Sequence, residues 1–291
     1  MYLSSRMITS VSPRTNSSFL LTGFSGMEQQ YPWFSIPFSS IYAMVLLGNC
    51  MVLHVIWTEP SLHQPMFYFL SMLALTDLCM RLSTVYTVLG ILLDFCITQS
   101  YFIHGLSFIE SSVLLAMAFD RYIAICNPLR YSSILTNSRI SKIGLTIIGR
   151  SFFFIIPPII HLKFFNYCHF HILSHSFCLH QDLLRLACSD IRFNSYYALM
   201  LVIFLAVASL EERHKLFQTC ISHVCAVLVF YMPIISLTMV HHFGKYLSPV
   251  AHVLIGNIYI LFPPLMNPII YSVKTQQIHT RMLRLFSLKR Y

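Results

Sequence analysis

Long apolar runs, separated by short polar connections marked by prolines and charges, divide this chain into seven segments at about 34–57, 65–93, 96–125, 140–160, 193–210, 212–241 and 249–273. A helix needs about 20 mainly apolar residues to cross the roughly 30 Å hydrocarbon core of a bilayer. Six of the runs reach that length. The fifth falls short: between Arg192 and Glu211 only Phe193–Leu210 is uncharged. Those 18 residues at 1.5 Å each give about 27 Å, barely one crossing. The pattern predicts an all-α membrane protein, a seven-transmembrane helix bundle over 34–273 with an unusually short fifth helix. A polar N-terminal tail, 1–33, precedes the bundle, and 274–291 reads as a short amphipathic helix lying on the membrane surface.

Composition agrees with that reading. Of 291 residues, 56% are hydrophobic and only 10% charged, against about one quarter charged in soluble domains. The net charge of +9 comes from basic residues scattered between apolar runs, which speaks for membrane topology and against a nucleic-acid partner. Met1–Phe19 is Ser-rich without an apolar core, so the first span is expected to direct insertion in place of a cleavable signal peptide.

Polar residues inside the spans are the candidates for chemistry, because hydrocarbon offers them no partner. Asn49 follows Gly48 in the first span, a pair suited to close helix approach and an interhelical bond. Asp77 lies in the second span with Arg81 one turn further on the same face, and Glu110 lies in the middle of the third. The two acids are expected to host a cation, share a proton or serve as a structural hydrogen-bonded pair. Arg150 interrupts the fourth span, which Pro157-Pro158 closes. In the seventh, Asn267-Pro268 frees backbone carbonyls and predicts a local break, as Pro233 does in the sixth. Cys96, Cys168, Cys178 and Cys188 fall on one side of the membrane, and the sequence allows three pairings of them. Histidines 161, 169, 171, 175 and 180 crowd the same region, with no spacing diagnostic of a metal site. Asn16-Ser17-Ser18 is a glycosylation sequon in the polar tail.

The stretch Met117-Ala118-Phe119-Asp120-Arg121-Tyr122-Ile123-Ala124-Ile125-Cys126-Asn127-Pro128-Leu129-Arg130-Tyr131 resembles the MAFDRYxAICxPLxY signature of olfactory receptors, a branch of the rhodopsin-like G-protein-coupled receptors. Thr219-Cys220-Ile221-Ser222-His223 is similar to the family's TCxSH string, and Asn267-Pro268-Ile269-Ile270-Tyr271 to its NPxxY hinge. Phe102-Ile103-His104-Gly105, Cys178-Leu179-His180-Gln181-Asp182 and Met239-Val240-His241-His242-Phe243-Gly244 look most like the class I, fish-like branch. Against the family pattern, about 20 residues are missing from the fifth helix, and the loop after the second span is cut to about Leu93–Phe95. Arg81 is not accounted for by the resemblance.

The resemblance implies an odorant receptor that binds small organic ligands in the outer half of the bundle and activates a stimulatory G protein that raises cyclic AMP, with no cofactor and no enzymatic activity. It implies Cys96–Cys178 and Cys168–Cys188 disulfides, and ligand contacts at His104, Gln181, Thr238 and His242. Relatives in this branch commonly carry Arg where His242 stands. A histidine is mostly neutral near pH 7, so weaker recognition of carboxylate odorants is expected. Asp120, Arg121, Tyr122, Leu129, Asn267, Pro268 and Tyr271 are expected to form the switch and the G-protein contact, and Asn49, Asp77 and Glu110 a polar hub. An extracellular N-terminus at the plasma membrane puts 11 Lys and Arg in the cytosolic segments and 6 outside, the bias membrane insertion favours. Two other readings are carried: a defective receptor that neither folds nor signals, and a small-solute transporter or channel, for which two intramembrane acids and the absence of a repeat argue poorly.

Overall fold

The computed structural model describes residues 18–21, 31–85, 91–167, 172–173, 178, 180–201, 203 and 249–274. Helix α1 (Tyr31–Thr58) opens the bundle, and a 3₁₀ turn at Pro60–Leu62 leads to α2 (Pro65–Val85). Helix α3 (Leu93–Cys126) is the longest described, at 34 residues. A second 3₁₀ turn, Pro128–Arg130, and the single turn α4 (Tyr131–Ile134) connect it to α5 (Asn137–Lys163). Short α6 (His180–Leu186), a helical stretch at 192–201 and α7 (Pro249–Lys274) complete the described helices.

Four of these helices, at Ser39–Thr58, Pro65–Thr84, Phe95–Cys126 and Asn137–Lys163, are long and apolar enough to cross a membrane. Their outward faces carry large apolar side chains such as Leu47, Leu75, Leu145 and Phe153, the arrangement expected where lipid is the solvent. The inner core runs along α3, where Ile103, Ile109, Val113 and Met117 meet Phe69, Leu70 and Leu73 of α2 and Val52 and Val55 of α1.

Three departures from the sequence pattern matter. Helix α2 ends at Val85, although the apolar run continues to Leu93, and Ile91–Leu92 instead form a short strand, β2. Part of the tail joins a sheet: β1 (Ser18–Leu21) pairs antiparallel with β2 and parallel with β3 (Ile172–Leu173). The sheet order β2-β1-β3 ties the N-terminal lead-in to the two loops at the end of the bundle where α3 starts. The polar connection between the fourth and fifth apolar runs contains α6. The sixth apolar run lies outside the described residues.

Candidate functional site

Three polar assemblies are threaded through the apolar bundle. The first sits at its centre. Asp77, Arg81, Glu110, Asn49 and Asn267 are all buried, with at most 5% of each exposed. The Asp77 and Glu110 carboxyl groups lie side by side, with Arg81 close to both. Two acids against one guanidinium are neutral as a set only when one acid holds a proton, the condition under which charge survives away from water. The Arg81 guanidinium carbon lies 5.9 Å from the Tyr42 ring centroid, and the Tyr42 hydroxyl donates to the Arg81 carbonyl.

The last helix joins this cluster at two points. Asn267 Nδ2 donates to Asp77 Oδ2 at 3.2 Å. Asn49 Nδ2 donates to the carbonyls of Val45, at 3.0 Å, and Pro264, at 3.3 Å. Pro264 stands four residues before Pro268, whose missing N–H leaves that carbonyl without its helical donor. Asn49 therefore fills the vacancy that the Asn-Pro step creates. Gly48 allows the approach: a Cβ there would lie 3.2 Å from Pro268 Cβ.

The second assembly is at the end of α3 opposite the sheet. Asp120 is fully buried, and the Tyr131 hydroxyl donates to its Oδ1 at 2.7 Å. Arg121 is the looser partner, with Nε 3.8 Å from Asp120 Oδ2 and its side chain one-third exposed. Burial, and then the bond to Asp120, pushes the Tyr131 phenol above its ordinary range. Tyr122 is half-buried beside Arg121 in sequence. Leu129, in the 3₁₀ turn, is 98% exposed, a single apolar side chain held out on a proline-stiffened corner.

The third lies at the other end. A Cys96–Cys178 disulfide fixes the long loop to the first turn of α3. Gln99 bridges the same junction, donating to the Ser83 carbonyl at 2.8 Å and accepting from the Cys178 N–H at 2.9 Å. His104 of α3 and buried His180 of α6 meet edge to face, with ring centroids 5.7 Å apart. Gln181 is in the first turn of α6. Cys188 is disulfide-bonded, and Cys168, its expected partner, lies outside the described residues. So do Thr238, His242, Asn16 and the side chain of Tyr271. No group of three or more metal-ligating side chains occurs among the described residues.

The stretch 192–201 is held by α5. Asn194 is fully buried, donates to the Pro158 carbonyl at 3.0 Å and meets His161 Nδ1 at 2.9 Å. The Tyr197 hydroxyl donates at 2.9 Å to the Phe154 carbonyl, which Pro158 has freed four residues on. Sequence reasoning missed Tyr131, Gln99, Asn194 and Tyr197. The available signal for the last two was a polar side chain in an apolar run facing a helix with Pro157-Pro158.

A sequence model of the family described as "Olfactory receptor" matches residues 38–205 and again 196–289. Olfactory receptor 51V1 of Homo sapiens is 85% identical over 321 residues, covering all of both chains. Olfactory receptor 51B5 of Homo sapiens is 50% identical over 300 residues, 94% of this chain and 96% of its own. Olfactory receptor 51L1 of Homo sapiens is 49% identical over 300 residues, 94% of this chain and 95% of its own. An alignment of 321 positions against a chain of 291 leaves 30 positions filled only by the first relative. The two family matches share 196–205, so the family pattern breaks and restarts inside the fifth apolar run.

Proposed function

This chain belongs to the olfactory receptor family, in its class I branch, and on that premise we propose that it carries an odorant signal across the plasma membrane to a stimulatory G protein that raises cyclic AMP. As a family member it is a multi-pass, seven-helix odorant receptor of the G-protein-coupled class and not an enzyme. The N-terminus faces outward in this reading, which agrees with the excess of Lys and Arg in the segments then assigned to the cytosol.

The observation that carries the switch is that two helices attach to the same short piece of α7, Asn49 to Pro264 and Asp77 to Asn267. A rearrangement at the Asn267-Pro268 break has to trade these bonds for others. A ligand drives such a change only by binding one arrangement more tightly than the other. Odorant contacts are assigned to His104, Gln181, Thr238 and His242 in the outer half, with His180 adjoining His104. Asp120, with Tyr131 and Arg121, keeps the inner end of α3 at rest. Arg121, Tyr122 and Leu129 meet the G protein when it is released, and Tyr271 completes the hinge. His242 in place of an Arg makes carboxylate odorants weak ligands at neutral pH.

A second reading, a receptor that does not fold or signal, is favoured by one observation: the family pattern is interrupted within 196–205, in a run that already has little length to spare. Live-cell staining of an N-terminal epitope tag, with a permeabilised control and olfactory-receptor chaperones supplied, separates the two. Surface signal followed by a cyclic AMP response to an odorant panel is expected. Signal only after permeabilisation overturns the receptor reading, and restoring about 20 residues after Phe204 is then the rescue to attempt.

A further inference from the structure

A groove of about 450 Å³ runs between α2, α3 and α5, away from the hub and the odorant end. Its size falls in the range of about 300–1,000 Å³ usual for small-molecule sites. Its lining is mostly apolar, with Phe69, Phe119 and Ile143, and includes two cations, Lys142 and Arg150. Both cations are exposed. Among the described residues neither pairs with a carboxylate. Arg150 Nη2 donates to Ser112 Oγ at 2.9 Å. A guanidinium has five N–H donors, so among the described residues one neutral hydroxyl leaves its charge without a counter-ion and most of its donors unmet.

Arg150 is at the middle of α5, where an Arg facing hydrocarbon without a counter-ion is costly. Lys142 is eight residues earlier, about 12 Å along the axis. Helical side chains lean toward the helix N-terminus, so Arg150 leans back along the groove toward Lys142 and the membrane surface. An apolar trough with a cation at its mouth and a second one deeper matches an amphiphile with acyl chains and an anionic head. In the orientation proposed above, the mouth opens to the cytoplasmic leaflet, where anionic lipids concentrate and basic pockets between helices bind their headgroups.

We propose that the groove lined by Lys142 and Arg150 is a binding site for an anionic phospholipid of the inner leaflet, its phosphate at Lys142, its glycerol-ester oxygens toward Arg150 and an acyl chain on Phe69, Phe119 and Ile143. Only the choice of leaflet rests on the proposed orientation.

The test uses the full chain in phosphatidylcholine vesicles that hold a minor fraction of phosphatidylserine with a photoactivatable diazirine in its acyl chain. Adducts are mapped by peptide mass spectrometry, and diazirine-phosphatidylcholine is the control. The serine lipid is expected to label peptides of α3 and α5 that line the groove. Lys142→Gln or Arg150→Gln is expected to lower that yield about fivefold each, the factor for about 1 kcal/mol per basic residue. Arg139→Gln removes an exposed cation outside the groove, bonded to the Ser133 and Ile134 carbonyls, and is expected to leave the yield unchanged. Equal labelling by the two lipids, equal loss in all three variants, or displacement by soluble glycerophosphoserine overturns the proposal. If Arg150→Gln fails to fold, as judged by its melting curve, Lys142→Gln at the exposed mouth decides alone. The readout needs neither odorant nor G protein, so a receptor that does not signal can still bind the lipid.

Discussion

The side-chain amide of Asn49 in α1 donates to the carbonyl of Pro264 in α7 at 3.3 Å, taking the place of the N–H that Pro268 lacks. Tyr197 does the same for Phe154, whose donor is lost at Pro158. Twice in this bundle, then, a proline opens a helix and a neighbouring helix supplies the missing donor. Each bond does two things: it satisfies a carbonyl that lipid cannot, and it fixes which neighbour the opened helix sits against.

Asn49→Leu should therefore lower stability and loosen α1 from α7 together. Interhelical side-chain bonds in membranes average about 0.6 kcal/mol and reach about 1.7, and the orphaned carbonyl puts this one toward the upper end. The expected outcome is a melting temperature for the purified receptor several degrees below wild type. An unchanged melting curve would show that water or another donor reaches Pro264.

Gly48 gives a sharper, steric test of the same contact. A Cβ at this position meets Pro268 Cβ at 3.2 Å and Cγ at 3.3 Å, tight but relieved by a small shift. Gly48→Ala should be tolerated, whereas Gly48→Leu must push α1 off α7. Overpacking of this kind costs about 1–3 kcal/mol. Surface staining that falls for Leu and holds for Ala is the expected pattern, and equal staining of the two would place the helices further apart than 3.2 Å implies.

How far the sequence revealed this arrangement depends on what each feature needs. The four described spans follow from apolar length, and Asn49, Asp77, Glu110 and Asn267 stood out as polar groups that hydrocarbon excludes. Which partner each one takes is set by helix rotation and depth, and single-chain periodicity carries neither. Ile91–Leu92, inside the apolar run of the second span, pair with Phe19 and Ser18, a contact between segments some seventy positions apart that no local pattern encodes. Tyr131 closes the signature string, yet only the fold brings its hydroxyl to Asp120. The Cys96–Cys178 bond was legible through resemblance, not through spacing.

The fifth run is short of length but not of anchors. If its outer half is held by Asn194 and Tyr197, Asn194→Leu should reduce surface receptor more than Tyr197→Phe. Asn194 is fully buried, bonded to both His161 and the Pro158 carbonyl, whereas Tyr197 contributes one partly exposed bond. Flow cytometry on the tagged variants reads the order. The reverse order would mean that the stretch is held mainly from its lipid-facing side.

Tyr131→Phe should raise basal signalling. Its hydroxyl is the nearest described partner of the Asp120 carboxyl, at 2.7 Å against 3.8 Å for Arg121. Hydrogen bonds to charged groups contribute about 1.5–3 kcal/mol, so losing one that acts mainly at rest shifts the resting equilibrium by about tenfold or more. Cyclic AMP without odorant, corrected for surface level, is expected to exceed wild type. A basal level at or below wild type would mean that the bond persists in the active arrangement.

Arg81 poses the last question, whether it stabilises the hub or merely survives in it. Removing one partner of a buried charge cluster costs about 3–5 kcal/mol because the remaining charge is left uncompensated, while removing both can be neutral. Arg81→Leu leaves the Asp77–Glu110 pair with no cation beside it among the described residues and should abolish surface expression. Glu110→Gln keeps a hydrogen-bonding group beside Asp77 and leaves one carboxylate facing Arg81, so it should be mild. Adding Asp77→Asn and Glu110→Gln to Arg81→Leu removes every charge from the cluster and should restore much of the surface signal. Recovery in the triple variant, set against loss in the single one, would establish that the three side chains are stable as a neutral set. If Arg81→Leu alone reaches the surface at wild-type level, the acids discharge by taking up a second proton and the guanidinium is dispensable.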